Sequence, residues 1–224
     1  MRLNGKNRFP AIDFYRYFYG KDCKSGKPLN LYLVSLAHDH LTKIQHHLAS
    51  LDQSTREALD DATQFKSYKK NEYLLLAGEV CKSGFQIVSG VARKFYLNDG
   101  KEITTELFFA DDIAVSLESY TGQKPSREYI QALEPLSASI TYYQTFQELK
   151  QQHKSLLELD LMMTEYYALW LEERLFQFHT LDATERYKLL LEKQPHFVQQ
   201  IPLTYLASYL GVSLETLSRI RAKI

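Results

Sequence analysis

The period of apolar and polar positions changes along the chain, and each change predicts a different kind of element. Leu33, Leu36, Ala37, Leu41, Ile44 and Leu48 recur at spacings of three and four, which predicts an amphipathic helix within residues 31–64. Leu51-Asp52-Gln53-Ser54 interrupts it, and Asp52 is placed to cap a second short helix through Ala62. From Tyr68 to Tyr143 the texture is that of strands. Apolar runs at 73–76, 85–88, 91–97, 103–109, 129–133 and 137–143 are separated by turns rich in Gly, Pro and Asp. Asn98-Asp99-Gly100 predicts a hairpin, because Asp-Gly supplies the positive φ that a tight turn needs. Short strands at this spacing predict an antiparallel sandwich or roll. Residues 110–126, with Asp111, Asp112, Glu118, Gly122 and Pro125, read as the long irregular stretch inside it, a natural place for a ligand loop.

The helical period returns at 146–178. Leu156, Leu157, Leu159, Met162, Met163, Tyr166, Tyr167, Trp170, Leu171 and Leu175 make this helix apolar on more than one side. One side can pack on the strands, and a twin helix of a second subunit is the simplest cover for the other. Within this stretch, Met163 and Tyr166 are the positions where Glu is expected to split such a pair. Residues 184–194 form a short helix that Thr184 is placed to cap and Pro195 to stop. The last stretch, IPLTYLASYLGVSLETLSRIRAKI, has an informative spacing. Pro202 suits a first helical turn. Leu203, Leu206, Ala207 and Leu210 form one apolar face, and Gly211 is placed to end the helix in a left-handed conformation. Val212 plugs the corner, Ser213 caps a second helix, and Leu217 and Ile220 face inward. Helix, Gly-containing turn, helix, with Ala at the tight crossing, is the helix-turn-helix arrangement.

Composition narrows the class. The chain has 224 residues, 45% hydrophobic and 24% charged, which suits a globular protein with a core. No run approaches ~18 apolar residues, and no apolar leader follows Met1, so neither a membrane span nor a secretory signal is expected. Cys23 and Cys81 are too few for a disulfide framework or a four-thiolate iron–sulfur site, which points to a reducing cytoplasm. His38, His40, His46 and His47 lack metal-ligand spacing, so no metal is assigned. No nucleophile elbow, phosphate loop or dinucleotide fingerprint occurs, so an enzyme is not expected. The neutral total hides an asymmetry. Residues 1–33 carry seven Lys/Arg against two Asp/Glu, and residues 183–224 carry six against three, around an acidic body. Basic ends suit a polyanionic partner. Residues 1–33, with Tyr15, Tyr17, Phe18 and Tyr19, read as an irregular extension.

LASYLGVSLETLSRI, preceded by ATERYKLLLEKQP, resembles the C-terminal module of the Crp/Fnr superfamily of bacterial transcription regulators. KKNEYLLLAGEVCKSGFQIVSGVARKFYLNDGKEITTELF resembles the cyclic-nucleotide-binding β-roll of that family. The resemblance implies an α+β fold: an antiparallel, cupin-like β-roll (a double-stranded β-helix) with flanking helices, a long dimerisation helix, and a helix-turn-helix without an evident wing. The implied domains are an extension at 1–33, a β-roll at 34–150, a dimer helix at 151–182 and a DNA-binding unit at 183–224. It implies a cytoplasmic homodimer that binds palindromic double-stranded DNA, with RNA polymerase as a candidate partner and no membrane. The alternative is a ligand-binding or scaffold dimer that has lost DNA binding.

The family's recognition helix reads S-R-E-T-V-G-R, against Ser213-Leu214-Glu215-Thr216-Leu217-Ser218-Arg219 here. The implied DNA contacts are Ser213, Leu214, Glu215, Thr216, Ser218, Arg219, Arg221 and Lys223. Leu214 replaces a basic residue, so base preference should differ there. The family's cyclic-nucleotide binders carry Gly-Glu and Arg-Ser. The nearest candidates here are Asp112 or Glu118, and Ser126 with Arg127. Gly-Glu is missing and the second pair is reversed, so a cyclic nucleotide is disfavoured; a small-molecule effector stays open, with no cofactor assigned.

Overall fold

The computed structural model describes residue 40 and residues 42–224. The expectations on residues 1–33, Leu33, Leu36, Ala37, His38 and Leu41 therefore lie outside the described residues. Residues 42–50 are helical, and α1 (Gln53–Asp61) follows. Asp52 caps α1 as expected, accepting hydrogen bonds from the Thr55 amide at 2.9 Å and its hydroxyl at 2.7 Å. Hydrogen bonds from the Ser54 hydroxyl and from Thr55 hold the Asp52 carboxyl well below the usual carboxylate range.

The strands are β1 (Thr63–Tyr68), β2 (Tyr73–Leu75), β3 (Ser83–Ser89), β4 (Ala92–Asn98), β5 (Lys101–Phe108), β6 (Ile113–Ala114), β7 (Glu128–Ala132) and β8 (Leu136–Tyr142). Among the described residues they form two four-stranded sheets, in the orders β1-β8-β3-β6 and β2-β7-β4-β5. The described pairings within both sheets are antiparallel. Tyr68, Leu75, Phe85, Ile87, Ala92, Phe108, Ile130, Ala132, Leu136, Ala138 and Ile140 meet in the space between the sheets. These are alternate residues of the strands, as a half-buried sheet requires. The α+β roll that the resemblance implies is thus the observed fold, with two corrections. β1 was not expected. It is an edge strand whose only buried residue is Tyr68, so TQFKSY lacks the apolar alternation of an inner strand. Residues 110–126 are not irregular either: they hold β6 and the short helix α2 (Leu117–Gly122).

The single helix expected at 146–178 is two helices, α3 (Tyr143–Gln152) and α4 (Lys154–Thr180). The break is His153, in an extended conformation, its ring Nδ1 2.9 Å from the Thr55 hydroxyl. α4 is apolar on two sides, but the sides divide differently from the expectation. Leu159 is buried, and Met163 and Tyr166 pack with it on Ile44, Leu51 and Leu149 of the same chain. The uncovered side is Leu157, Leu161, Thr164, Ala168, Leu171, Leu175 and Phe178, a strict four-three spacing with every member exposed. Leu161 and Leu175 are each 59% exposed.

The C-terminal unit comprises α5 (Ala183–Lys193), α6 (Pro195–Gln200), α7 (Leu203–Tyr209) and α8 (Leu214–Arg221). Asp182, not Thr184, caps α5. Its carboxylate accepts from the Thr184 and Glu185 amides, while Glu185 accepts in return from the Asp182 amide, a capping box. Pro195 opens α6 instead of only stopping α5, since its missing N–H costs nothing in a first turn. Pro202 occupies the cap position before α7. One apolar cluster joins Leu206, Ala207, Leu210, Leu217 and Ile220 of this unit to Val91, Leu107 and Leu133 of the roll. Val212, expected to be buried, is half-buried at its edge.

Two left-handed glycines separate backbone strain from crowding. A Cβ at Gly90 (φ +92°) would stand 2.5 Å from the Pro135 carbonyl oxygen and 2.8 Å from Leu136 Cα. At Gly100 (φ +76°) it would meet no described atom within 4 Å. Gly100→Ala is expected to cost ~1 kcal/mol of stability and Gly90→Ala ~2–4 kcal/mol, because only the second displaces backbone. Urea unfolding of both variants measures this, and equal losses would contradict it.

Candidate functional site

The C-terminal pair of helices is assembled from its corner outward. Gly211 adopts φ +70°, and a Cβ there would lie 2.8 Å from Phe178 Cε1, so the turn rests directly on the end of α4. The carbonyls left free at the end of α7 are taken by two guanidiniums. Arg174 donates to the Tyr209 oxygen at 2.9 Å and Arg186 to the Leu210 oxygen at 3.2 Å. Arg174 also lies over the rings of Tyr209, Phe178 and Trp170. Ser213 caps α8 by accepting from the Thr216 amide at 3.2 Å. Leu217 and Ile220 are buried, which turns the remaining side of α8 to solvent. Ser213, Leu214, Glu215, Ser218, Arg219, Arg221 and Lys223 are exposed there and Thr216 is half-buried. All eight residues named from the sequence thus lie on or beside α8, outside its buried Leu217 and Ile220. Arg219 Nε donates to the Glu215 carbonyl at 3.3 Å, which extends the guanidinium along the helix. Hydrogen bonds from its own amide and from Ser213 lower the Glu215 carboxyl, so it remains ionised.

A second feature is a cavity of about 440 Å³ between the roll, α2 and α4. Its lining comes from β4 (Lys94), α2 (Leu117, Glu118, Thr121), β7 (Glu128) and α4 (Tyr167). Lys94 is almost fully buried. It pairs with Glu106, stands 3.8 Å from Glu128 and donates to the Val115 carbonyl at 3.2 Å. The Tyr167 hydroxyl donates to Glu106 at 2.8 Å, and burial together with that carboxylate pushes its phenol far above the ordinary range. Glu128 accepts from the Ser116 hydroxyl at 2.6 Å.

Of the ligand candidates read from the sequence, Glu118 lines this cavity. Arg127 does not line it; its side chain is 81% exposed and pairs with Glu118 at 2.6 Å. Ser126 is buried, its hydroxyl oxygen 3.0 Å from both the Ser116 hydroxyl and the Glu128 carbonyl. Asp112 lies apart, in the turn after β5, where it accepts from the Phe109 amide at 2.8 Å. The residues that govern the cavity, Lys94, Glu106, Glu128 and Tyr167, were missed. A signal existed: Arg93-Lys94 places two cations in succession on a strand, so one of them must face inward. Chemically, the cavity lining offers two carboxylates, Glu118 and Glu128, and its buried ammonium is already matched by Glu106. An anionic ligand would have to break that pair, at the cost of stranding a buried charge.

Residues 65–153 match the family model of the cyclic nucleotide-binding domain. No curated protein matches the chain. Among solved structures, FixK2 from Bradyrhizobium japonicum is similar at 21% identity over 72% of this chain and 83% of that one, with a TM-score of 0.61. The c-di-GMP-responsive global regulator CLP of Xanthomonas campestris shares 18% identity over 77% and 91%, with a TM-score of 0.57. The catabolite activator protein of Thermus thermophilus shares 17% over 79% and 85%, at 0.51. The protein thus carries a cyclic nucleotide-binding domain fold at 65–153. Its fold is that of these three solved structures. Among the described residues no helix is long and apolar enough to cross a membrane.

The two cations near the cavity should differ sharply in energetic weight. Lys94→Met leaves Glu106 buried without its partner and is expected to cost ~3–5 kcal/mol. Arg127→Ala, at a solvent-screened pair, is expected to cost less than ~1 kcal/mol. Thermal and urea unfolding check this; a Lys94→Met variant as stable as Arg127→Ala would refute the buried-pair account.

Proposed function

We propose that the protein is a DNA-binding transcription regulator that works as a homodimer. The observation that carries this reading is the capped α8, whose exposed side holds Leu214, Glu215, Ser218, Arg219, Arg221 and Lys223 while Leu217 and Ile220 anchor it. In a major groove, the exposed side chains of such a helix meet base edges, and those beyond its last buried residue, Ile220, meet phosphates. Arg219 is assigned to guanine O6 and N7, Glu215 to a cytosine amino group, and Leu214 to a thymine methyl. Arg221 and Lys223 are assigned to phosphates. The four-three stripe of α4 supports the dimer, because an exposed heptad seam of Leu157, Leu161, Leu171 and Leu175 is what a twin helix would cover. Residues 34–150 would then sense, 151–182 join the subunits, and 183–224 read DNA. The cavity beside Lys94 and Tyr167 is the candidate effector site. Its carboxylates favour a neutral or cationic small molecule over a cyclic nucleotide.

Leu161→Glu with Leu171→Glu is expected to give monomers by sedimentation, since like charges would face each other across the seam. Met163→Glu is expected to destabilise each chain instead. A wild-type monomer at micromolar concentration would contradict the seam.

For DNA, Arg219→Ala is expected to cost ~1–3 kcal/mol on the preferred site and relax base choice there, whereas Lys223→Ala weakens all sequences alike and lowers the salt slope by about one. Replacing the contacted thymine by uracil removes only a methyl. It should weaken the wild type and leave Leu214→Ala unaffected. Titration at several salt concentrations reads all three. Absence of binding even at low salt would favour the scaffold alternative.

A further inference from the structure

The helix at residues 42–50 runs antiparallel to α4. His47 Nε2 lies 2.8 Å from the Ser155 carbonyl oxygen, near the start of α4. His40 Nε2 lies 3.1 Å from a Glu165 carboxylate oxygen, further along it. Ile44, between the two histidines, is buried in one cluster with Leu156 and Leu159. As the numbering falls from 47 to 40, the partners on α4 rise from 155 to 165. The chain therefore comes into residue 40 from the side of the C-terminal half of α4. That half supports α7 and α8, through Phe178 against Gly211 and Arg174 on the Tyr209 carbonyl. The rise along α4 from Glu165 to Phe178 is ~20 Å.

The sequence that precedes residue 40 holds the largest excess of positive charge in the chain. Residues 1–33 carry seven Lys/Arg against two Asp/Glu, while residues 34–182 carry fourteen against twenty-two. The body that carries α8 thus repels a polyanion. The C-terminal unit offsets this only in part. Of its six Lys/Arg, Arg186 is turned to the Leu181 and Leu210 carbonyls, and Glu185, Glu192 and Glu215 oppose the rest. In the first 33 residues cations and phenols are interleaved, as in Tyr15-Arg16-Tyr17 and Tyr19-Gly20-Lys21. Both groups donate to phosphate oxygens. Thirteen residues separate Lys27 from His40. A chain of that length spans at most ~45 Å, well beyond the rise from Glu165 to Phe178. Lys21, Lys24 and Lys27 are therefore within reach of a duplex seated on α8.

We propose that residues 16–27 act as a second DNA contact, a basic arm that grips the phosphates flanking the half-site under α8. The proposal rests on the reading of α8 as a DNA-binding helix; the direction of the chain at residue 40 and the charge balance do not. The two contacts differ in kind. α8 meets base edges, whereas the arm cations neutralise phosphates and carry no base preference. Each neutralised phosphate releases counterions and adds ~0.9 to the slope of log affinity against log salt. The arm supplies affinity that the acidic body withholds and leaves the choice of sequence to α8.

Duplex titrations on the full chain at several salt concentrations test the arm. Arg16→Gln combined with Lys21→Gln, Lys24→Gln and Lys27→Gln is expected to flatten the salt slope by about three or more, and to weaken specific and random duplex by the same factor. A matched variant, Lys66→Gln with Lys82→Gln, Lys124→Gln and Lys154→Gln, removes the same charge from exposed positions of the roll and the far end of α4. It should leave the slope unchanged. Bound duplex should also protect the amines of Lys21, Lys24 and Lys27 from acylation. Equal slopes in the wild type and the arm variant, with DNA still bound, would overturn the arm and leave the reading of α8 intact. So would lysines that stay open to acylation on the duplex. The same flattening in the matched variant would reduce the effect to net charge, and loss of preference for the specific site in the arm variant would make the segment a reader of bases; either result overturns the phosphate grip. A wild type that binds no duplex even at low salt overturns the arm and the reading of α8 together.

Discussion

A guanidinium removed from water must have its charge and its hydrogen-bond donors answered where it lies. Arg93 is in that position for its charge, its two faces and two of its three nitrogens, and its contacts tie the roll to α7. Glu102 answers the charge, Gln131 accepts from two nitrogens, and two aromatic rings close the faces. One of those rings, Tyr205, belongs to the helix-turn-helix. The C-terminal unit is therefore not hung from the long helix alone. It is seated on the roll by a buried cation, by Ser208 on the edge strand and by a shared apolar cluster. At its other end, Phe178 and Arg174 fix the Gly211 corner against α4. The orientation of α8 is consequently set by contacts from two directions.

The same strand carries opposite electrostatic arrangements on its two faces. Outward, Arg93 is sandwiched by aromatic rings, an interaction that strengthens as water is excluded. Inward, Lys94 is held by carboxylates and a phenol, which leaves the cavity acidic. The match to a cyclic nucleotide-binding domain and the chemistry of this cavity therefore speak to different things. The match describes a backbone shape; the lining decides what that shape accepts. Here the lining has its one buried ammonium already committed to Glu106.

Local patterns with a strong physical cause were legible in the order of residues. Asp52 and Ser213 cap helices because short side-chain acceptors suit free amides, and Asp99-Gly100 turns a hairpin because both residues tolerate positive φ. Leu217 and Ile220 followed from spacing alone. What failed depended on distant partners. β1 owes its existence to pairing with β8, and TQFKSY contains no apolar period to reveal it. The side of α4 turned to the chain's own core could not be told from the uncovered side, since Met163 and Leu161 are equally apolar. Lys94 was invisible as a cavity residue because its partners, Glu106, Glu128 and Tyr167, come from three other elements. The loop signal at 110–126 found the right neighbourhood, and of its acidic residues Glu118 reaches the cavity.

The central claim is that two copies of α8 read DNA as a pair. Selection of bound duplexes from a random pool tests it most directly. The account predicts enrichment of an inverted repeat with half-site centres about 34 Å apart, one turn of duplex, each half containing guanine and thymine positions for Arg219 and Leu214. Recovery of unenriched sequences, or of a single half-site without its inverted mate, would contradict it.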